Sequence, residues 1–126
     1  TELGHGSNVQ SLELEAHFDA KSKGFVFNSP KSSSSKFWPG LLGVFATHTI
    51  LQAKTFIGKK FIGVQTFVVE IRNSRLQNVE GVDAGDIGAK CGFERVDNGY
   101  LMMEKVLVPK ENMLMRYVKV GDDGSV

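Results

Sequence analysis

Two short glycine-bearing segments hold the residues of this sequence whose types and spacing could do chemistry. The first, TELGHGSN, occupies residues 1–8. Its glycines Gly4 and Gly6 would let the backbone come close to a ligand, and Thr1 and Ser7 supply hydroxyl groups beside them. Such a loop suits the edge of a planar heteroaromatic ring or a phosphate. Alone it is a weak signal, because an ordinary tight turn has the same composition.

The second segment, KFWPGLLG, occupies residues 36–43. Trp38 could form an apolar wall, Pro39 fixes the backbone, and Gly40 leaves its backbone N–H free to reach a ligand. A tryptophan beside a proline is by itself more often core packing. The two segments together are therefore a more specific indication of a ligand site than either one.

The other reactive side chains predict neither a catalytic triad nor a metal site. Cys91 lies in a predicted loop among glycine and lysine, and Glu13 and Glu15 share one strand face that we expect to meet solvent. The first segment does not lead into a helix, so the dinucleotide fingerprint and the P-loop do not apply. The histidines are not spaced like metal ligands, and we interpret them as strand-face or loop residues: His5, His17 and His48.

The bulk composition limits the classes of protein to which the chain can belong. The chain has 126 residues, 41% of them hydrophobic, which predicts one globular domain over residues 1–126. Fifteen basic residues against 14 acidic ones leave a net charge of +1, so no footprint for nucleic acid or an anionic membrane is expected. No apolar stretch approaches the roughly 20 residues that span a bilayer. A single cysteine excludes an internal disulfide and is compatible with a reducing compartment.

Alternating apolar and polar residues predict that the two segments are held by β-strands. A hairpin is expected from the first two strands, and the third should be irregular and bent at its proline and glycines. Residues 79–92, rich in Gly and Asp, predict a loop. No helical stripe persists, so we predict an all-β fold, a small β-barrel or sandwich of about six to eight strands. The predicted strands are Leu12–Phe18, Gly24–Asn28, Phe37–Gly43, Thr47–Phe56, Gly63–Ile71 and Tyr100–Val108.

A family resemblance is carried by seven segments in chain order: TELGHGS, NSP, KFWPGLLG, TH, GDIGAKCG, DNGYL and PKENML. In this order and at these spacings, the chain resembles the peroxisomal acyl-CoA oxidases over essentially its whole length. The resemblance implies the acyl-CoA dehydrogenase-like architecture, in which a middle β-barrel domain lies between two helical domains and forms one wall of the flavin site. Because those helical domains are absent from residues 1–126, we interpret the sequence as a fragment of a larger enzyme.

The resemblance also implies which residues bind the cofactor, FAD. Thr1 matches the family threonine that hydrogen-bonds the flavin, and Gly40 matches the glycine whose backbone meets the isoalloxazine ring. The other residues expected near the flavin, or near the thioester and pantetheine end of the substrate, are Trp38, Leu3, Gly6 and Ser7. No catalytic residue is expected in this chain, because the family's general base is a glutamate of the C-terminal helical domain. Glu2 is not assigned that role.

The implied reaction converts acyl-CoA and O2 to trans-2-enoyl-CoA and hydrogen peroxide, in a peroxisomal and homodimeric parent enzyme. One alternative is an acyl-CoA dehydrogenase domain that passes electrons to a flavoprotein. Dehydrogenases usually have proline and aspartate where this chain has Leu3 and Asn8, and W-P-G also favours an oxidase. The other alternative is a non-catalytic β-barrel binding module, which would lack flanking helical domains.

Overall fold

The computed structural model describes all residues from Thr1 to Val126, and strands account for 44% of them. Regular helix is limited to three short 3-10 turns, so the all-β prediction is confirmed. The structure holds no helix with the length and apolar character needed to cross a bilayer. The strands are β1 (Glu15–Asp19), β2 (Gly24–Asn28), β3 (Lys36–Gly40), β4 (His48–Ile57), β5 (Lys60–Glu70), β6 (Val82–Asp86), β7 (Asn98–Met103) and β8 (Val106–Pro109). The 3-10 turns are Val9–Ser11, Ser32–Ser34 and Lys110–Asn112.

The strands form two open sheets rather than a closed barrel. The larger sheet has the order β5-β4-β1-β2-β8, and the smaller one has the order β3-β7-β6. Closure of the larger sheet would require a ladder joining its edges β5 and β8. The chain beyond β8 instead forms a 3-10 turn and meets β5 through a single bridge between Phe67 and Met113. The prediction of a small β-barrel is therefore not confirmed.

One hydrophobic core contains side chains from both sheets. Phe25 and Phe27 of β2 contact Phe67 of β5 edge to face, with ring centroids 5.1 and 4.9 Å apart. Leu101 and Met103 of β7 belong to the same core, and all five side chains are buried. Since such contacts release apolar surface from water, they hold the small sheet against the large one.

Two predicted boundaries are wrong for identifiable reasons. The predicted loop at residues 79–92 contains β6, whose Val82 and Ala84 alternate with Asp83 and Gly85 and face the core. Its Gly and Asp content masked this alternation. The single strand predicted over Tyr100–Val108 is two strands. The chain turns at Lys105, whose φ is 52°, and passes from the small sheet to the large one.

The remaining strand predictions agree with the structure to within a few residues. The β1–β2 hairpin is present, with Ala16 registered against Phe27. The central strand predictions correspond to β4 and β5, and the irregular strand corresponds to β3. Alternating residues, or aromatic and β-branched ones, identified these strands, and the proline and glycines of β3 identified its bend.

Candidate ligand site at the first loop and strand β3

The first loop, defined as residues 1–7, lies antiparallel along the start of β3. Glu2 forms an isolated bridge with Lys36. The backbone N–H of Leu3 donates to the carbonyl of Ser35, and that of Gly4 donates to Ser33, both at 2.9 Å. The fold thus brings the two glycine-bearing segments of the sequence side by side.

Strand β3 is bent where its tryptophan and proline occur. Its register against β7 shifts between Phe37 and Gly40, and Trp38 has a φ of 81°, a conformation that bulky residues rarely adopt. The side-chain amide of Asn98 donates to the Trp38 carbonyl at 2.9 Å and holds this bend. The Trp38 side chain consequently stays half exposed instead of entering the core.

A cavity of ≈ 280 Å³ opens between the first loop, β3 and the central strands. Its wall is partly apolar and carries hydroxyl and amide groups, which is typical of a small-molecule site. The first loop contributes Thr1, Gly6 and Ser7, β3 contributes Lys36 and Pro39, and the central strands contribute Thr49, Gln52 and Thr66.

The glycines of the two segments differ in what surrounds them. A Cβ built on Gly6 or Gly40 would meet no heavy atom within 4 Å, so both backbones face open space that a ligand can occupy. A Cβ on Gly4 would lie 2.7 Å from the Cβ of Ser33. Packing against Ser33 therefore explains the glycine at position 4. At Gly40, in contrast, no contact within the protein excludes a side chain.

The six predicted flavin-site residues fall into two groups. Thr1, Gly6 and Ser7 line the cavity. The Thr1 hydroxyl donates its hydrogen to the carbonyl of Phe37, so the lone pairs of Thr1 Oγ1 can still accept a hydrogen bond. The other three do not line it and lie on exposed surface: Leu3, Trp38 and Gly40.

A buried ion pair between Glu2 and Lys36 joins the first loop to β3. The Lys36 Nζ donates to Glu2 Oε1 at 2.8 Å, with 9% and 0% of the two side chains exposed. Burial lowers the pKa of the Lys36 ammonium, and its hydrogen bond to Glu2 opposes that shift. Sequence reasoning excluded Glu2 as a base but did not find this pair, because no local pattern links residues so far apart in the chain.

The turn at residues 41–46, directly after Gly40, is fixed from inside by a buried arginine. The Arg72 guanidinium, 3% exposed, donates to the carbonyls of Leu42, Gly43 and Ala46 at 2.8 to 3.0 Å. No sequence pattern indicates this role, because Arg72 follows a strand and belongs to no motif.

From the other side, the Asp97 carboxylate accepts hydrogen bonds from the backbone N–H groups of Val44 and Phe45 at 3.0 and 3.3 Å. These contacts hold exposed apolar side chains of the turn in place beside Gly40: Leu41, Val44 and Phe45. No group of three or more His, Cys, Asp and Glu side chains is arranged to hold a metal ion.

Solved acyl-CoA oxidases have this fold over the full extent of the chain. The crystal structure of acyl-CoA oxidase 1 from Yarrowia lipolytica matches with a TM-score of 0.96 and 43% identity, over 100% of this chain and 18% of that one. Acyl-CoA oxidase-2 of Caenorhabditis elegans, described as bound with FAD, ascaroside-CoA and ATP, matches with a TM-score of 0.94 and 40% identity, over 99% and 19%. The fold is thus that of one β-domain of the acyl-CoA oxidases.

Sequence similarity leads to the same class. No protein-family model matches the chain. Peroxisomal acyl-coenzyme A oxidase 1 of Cavia porcellus is 43% identical over 126 residues, which is 99% of this chain and 19% of that protein. The chain's homologues at about 43% identity over its full length are peroxisomal acyl-CoA oxidases, and the chain spans about a fifth of the length of the curated relatives it matches.

Proposed function

We propose that this chain is the flavin- and acyl-CoA-binding middle domain of a peroxisomal acyl-CoA oxidase. The parent enzyme converts acyl-CoA and O2 to trans-2-enoyl-CoA and hydrogen peroxide in fatty-acid β-oxidation, with FAD as its cofactor and as a homodimer. The observation that carries the proposal is the meeting of the first loop and β3 at one cavity. The proposal is supported by the 43% sequence identity to a peroxisomal acyl-CoA oxidase over 99% of this chain.

The residues of this chain would bind and orient the cofactor. Thr1, Gly6 and Ser7 offer polar groups and open backbone inside the cavity. Gly40 and Trp38 lie on the adjoining exposed surface, where a flat ring can approach without displacing protein atoms. When bound, FAD supplies the redox group that accepts a hydride from the substrate. Leu3 is proposed, with these residues, to lie near the flavin or near the thioester and pantetheine end of the substrate.

The general base is proposed to lie outside this chain, in a helical domain of the parent enzyme. Glu2 is the carboxylate closest in sequence to the site, yet its oxygens accept hydrogen bonds from the Glu13 and Leu14 N–H groups and from Lys36. The fourth lone-pair position faces His5, whose Nε2 lies 2.9 Å from Glu2 Oε2. A carboxylate held in this way has no free lone pair facing the cavity. This supports the exclusion of Glu2 as a base.

Oxygen use by the full-length enzyme tests the proposed oxidase activity. We expect a saturated acyl-CoA to yield enoyl-CoA and hydrogen peroxide in equal amounts, with matching consumption of O2. The measurement combines an oxygen electrode with a peroxidase-coupled dye. Enoyl-CoA formed only when an artificial electron acceptor replaces O2 would identify a dehydrogenase instead, and absence of any acyl-CoA reaction would favour a binding module.

The isolated 126-residue chain should not oxidise any acyl-CoA, because the base and the helical domains are missing. Peroxide production from palmitoyl-CoA with added FAD is the measurement, and the full-length enzyme serves as the positive control. Turnover by the isolated chain above the protein-free blank would contradict the assignment of the base to another domain.

A further inference from the structure

We propose that the buried Glu2–Lys36 ion pair is a positioning element, which fixes the first loop relative to β3 and thereby the spacing of Thr1 and Gly40. The proposal rests on the function proposed above, since those two residues are assigned to the flavin. It adds two residues to the site that do not themselves have to touch the cofactor.

The pair lies at the point where the two segments are joined. Glu2 directly follows Thr1, and Lys36 opens β3, which contains Gly40. The same two residues also form a backbone bridge, and the Thr1 hydroxyl donates to the Phe37 carbonyl one residue further along. A change in the distance between Glu2 and Lys36 would therefore move Thr1 relative to β3.

The pair also forms hydrogen bonds with two further parts of the chain. The Glu2 carboxylate accepts from the backbone N–H groups of Glu13 at 2.7 Å and Leu14 at 3.2 Å, just before β1. The Lys36 ammonium donates to the carbonyl of Gln52 in β4 at 2.7 Å. Four segments thus share one junction, and Lys36 and Gln52 both line the cavity.

Stability alone does not explain an ion pair at this place. Taking two charges out of water is costly, and apolar side chains of similar volume often stabilise a fold as well or better. Apolar side chains cannot, however, make directed bonds to three backbone groups and to each other. The geometric precision of the junction is what the charged pair adds.

The test uses the full-length enzyme, stripped of FAD, and measures the FAD dissociation constant by quenching of flavin fluorescence. In the double variant Glu2→Gln/Lys36→Met no buried charge is left unpaired, so it should fold. Its thermal midpoint should fall, because the Gln52 carbonyl loses the Lys36 donor and a glutamine amide nitrogen cannot accept from the backbone N–H groups that face the Glu2 carboxylate. We expect the double variant to bind FAD about tenfold more weakly or worse, because small displacements of binding groups are costly. The visible absorption band of the bound flavin should also shift.

A matched control is the exposed pair Lys23–Asp122, whose Nζ and Oδ2 lie 3.1 Å apart and which lines neither the cavity nor the junction. Lys23→Met/Asp122→Asn should leave the FAD dissociation constant unchanged, since such surface pairs contribute little. Wild-type FAD affinity and an unshifted band in a folded Glu2→Gln/Lys36→Met enzyme would overturn the positioning role while leaving the proposed function intact.

If the double variant does not fold, Glu2→Asp decides, because it keeps the charge and shortens the side chain by one methylene. We expect a folded enzyme with weakened FAD binding, and unchanged binding would overturn the proposal. Wild-type enzyme that binds no FAD would contradict the proposed function itself, a result distinguishable from either variant outcome.

Discussion

Replacing Gly40 with valine in the full-length enzyme should lower flavin occupancy and oxidase activity together, while the protein stays folded. A Cβ at Gly40 meets no protein atom within 4 Å, and the backbone there is outside the left-handed region, so the fold itself accommodates a side chain. A branched side chain would instead occupy the space that the flavin ring is proposed to use. We expect flavin affinity to fall about tenfold or more. The measurement is visible flavin absorbance after gel filtration, with thermal unfolding as the check on folding.

Gly24→Ala provides the matched control for this prediction. A Cβ at Gly24 would lie 2.8 Å from the Val108 carbonyl oxygen and 3.0 Å from Leu107 Cδ1, so β2 and β8 would have to move apart. This variant should therefore lose thermal stability but keep its flavin affinity per folded molecule. A well-folded Gly40→Val enzyme with full flavin and full activity would remove Gly40 from the site and weaken the assignment of Thr1 and Trp38.

Replacing Arg72 with methionine should lower the free energy of unfolding of the 126-residue chain by about 3 kcal/mol or more. The substitution leaves three carbonyls of the 41–46 turn without a donor, and each buried unsatisfied group costs about 1–3 kcal/mol. Arg72 forms no ion pair with a carboxylate, so the loss reports on the carbonyl contacts alone. Urea unfolding followed by tryptophan fluorescence measures it.

The control for this prediction is Arg75→Met, at an exposed arginine in the turn that follows β5. A change within about 0.5 kcal/mol is expected there, as for most surface substitutions. Arg72→Lys should be intermediate, because one ammonium cannot reach all three carbonyls in the fork geometry of a guanidinium. Equal stability of the Arg72→Met and Arg75→Met chains would show that the 41–46 turn does not depend on Arg72.

Local pattern was sufficient where apolar residues alternate with polar ones, as in β4 and β5, or where aromatic and β-branched residues dominate a short stretch, as in Gly24–Asn28. Gly24–Asn28 was predicted with its observed bounds, and β4 and β5 were found to within a few residues. Strand β6 was not found because glycine and aspartate, which usually mark turns, occupy its outward positions. The turn at Glu104 and Lys105 was not found because the residues on both sides of it are uniformly apolar and read as one strand.

The candidate site was predictable in its composition but not in its internal bonds. Glycine and hydroxyl residues close together in sequence indicated Thr1, Gly6 and Ser7, and the structure places these three at one cavity. The pairing of Glu2 with Lys36 depends on which strands become neighbours, a property of the whole fold. The same holds for the contacts of Arg72 with the 41–46 turn.

The parallel pairing of β1 with β4 has a consequence for the order in which the chain folds. Strands β4 and β5 are joined by a tight turn at Gly58 and Lys59, and β1 and β2 also form a hairpin, so little loop-closure entropy opposes either pair. β1 and β4 are neighbours in the sheet, but β2 and β3 lie between them in the sequence, so their pairing closes a long loop. Pairings so distant along a chain form slowly, and both hairpins carry unpaired edges until then. Because the junction at Lys36 requires Gln52 of β4 and the backbone before β1, we expect flavin binding to be among the last properties a nascent chain acquires.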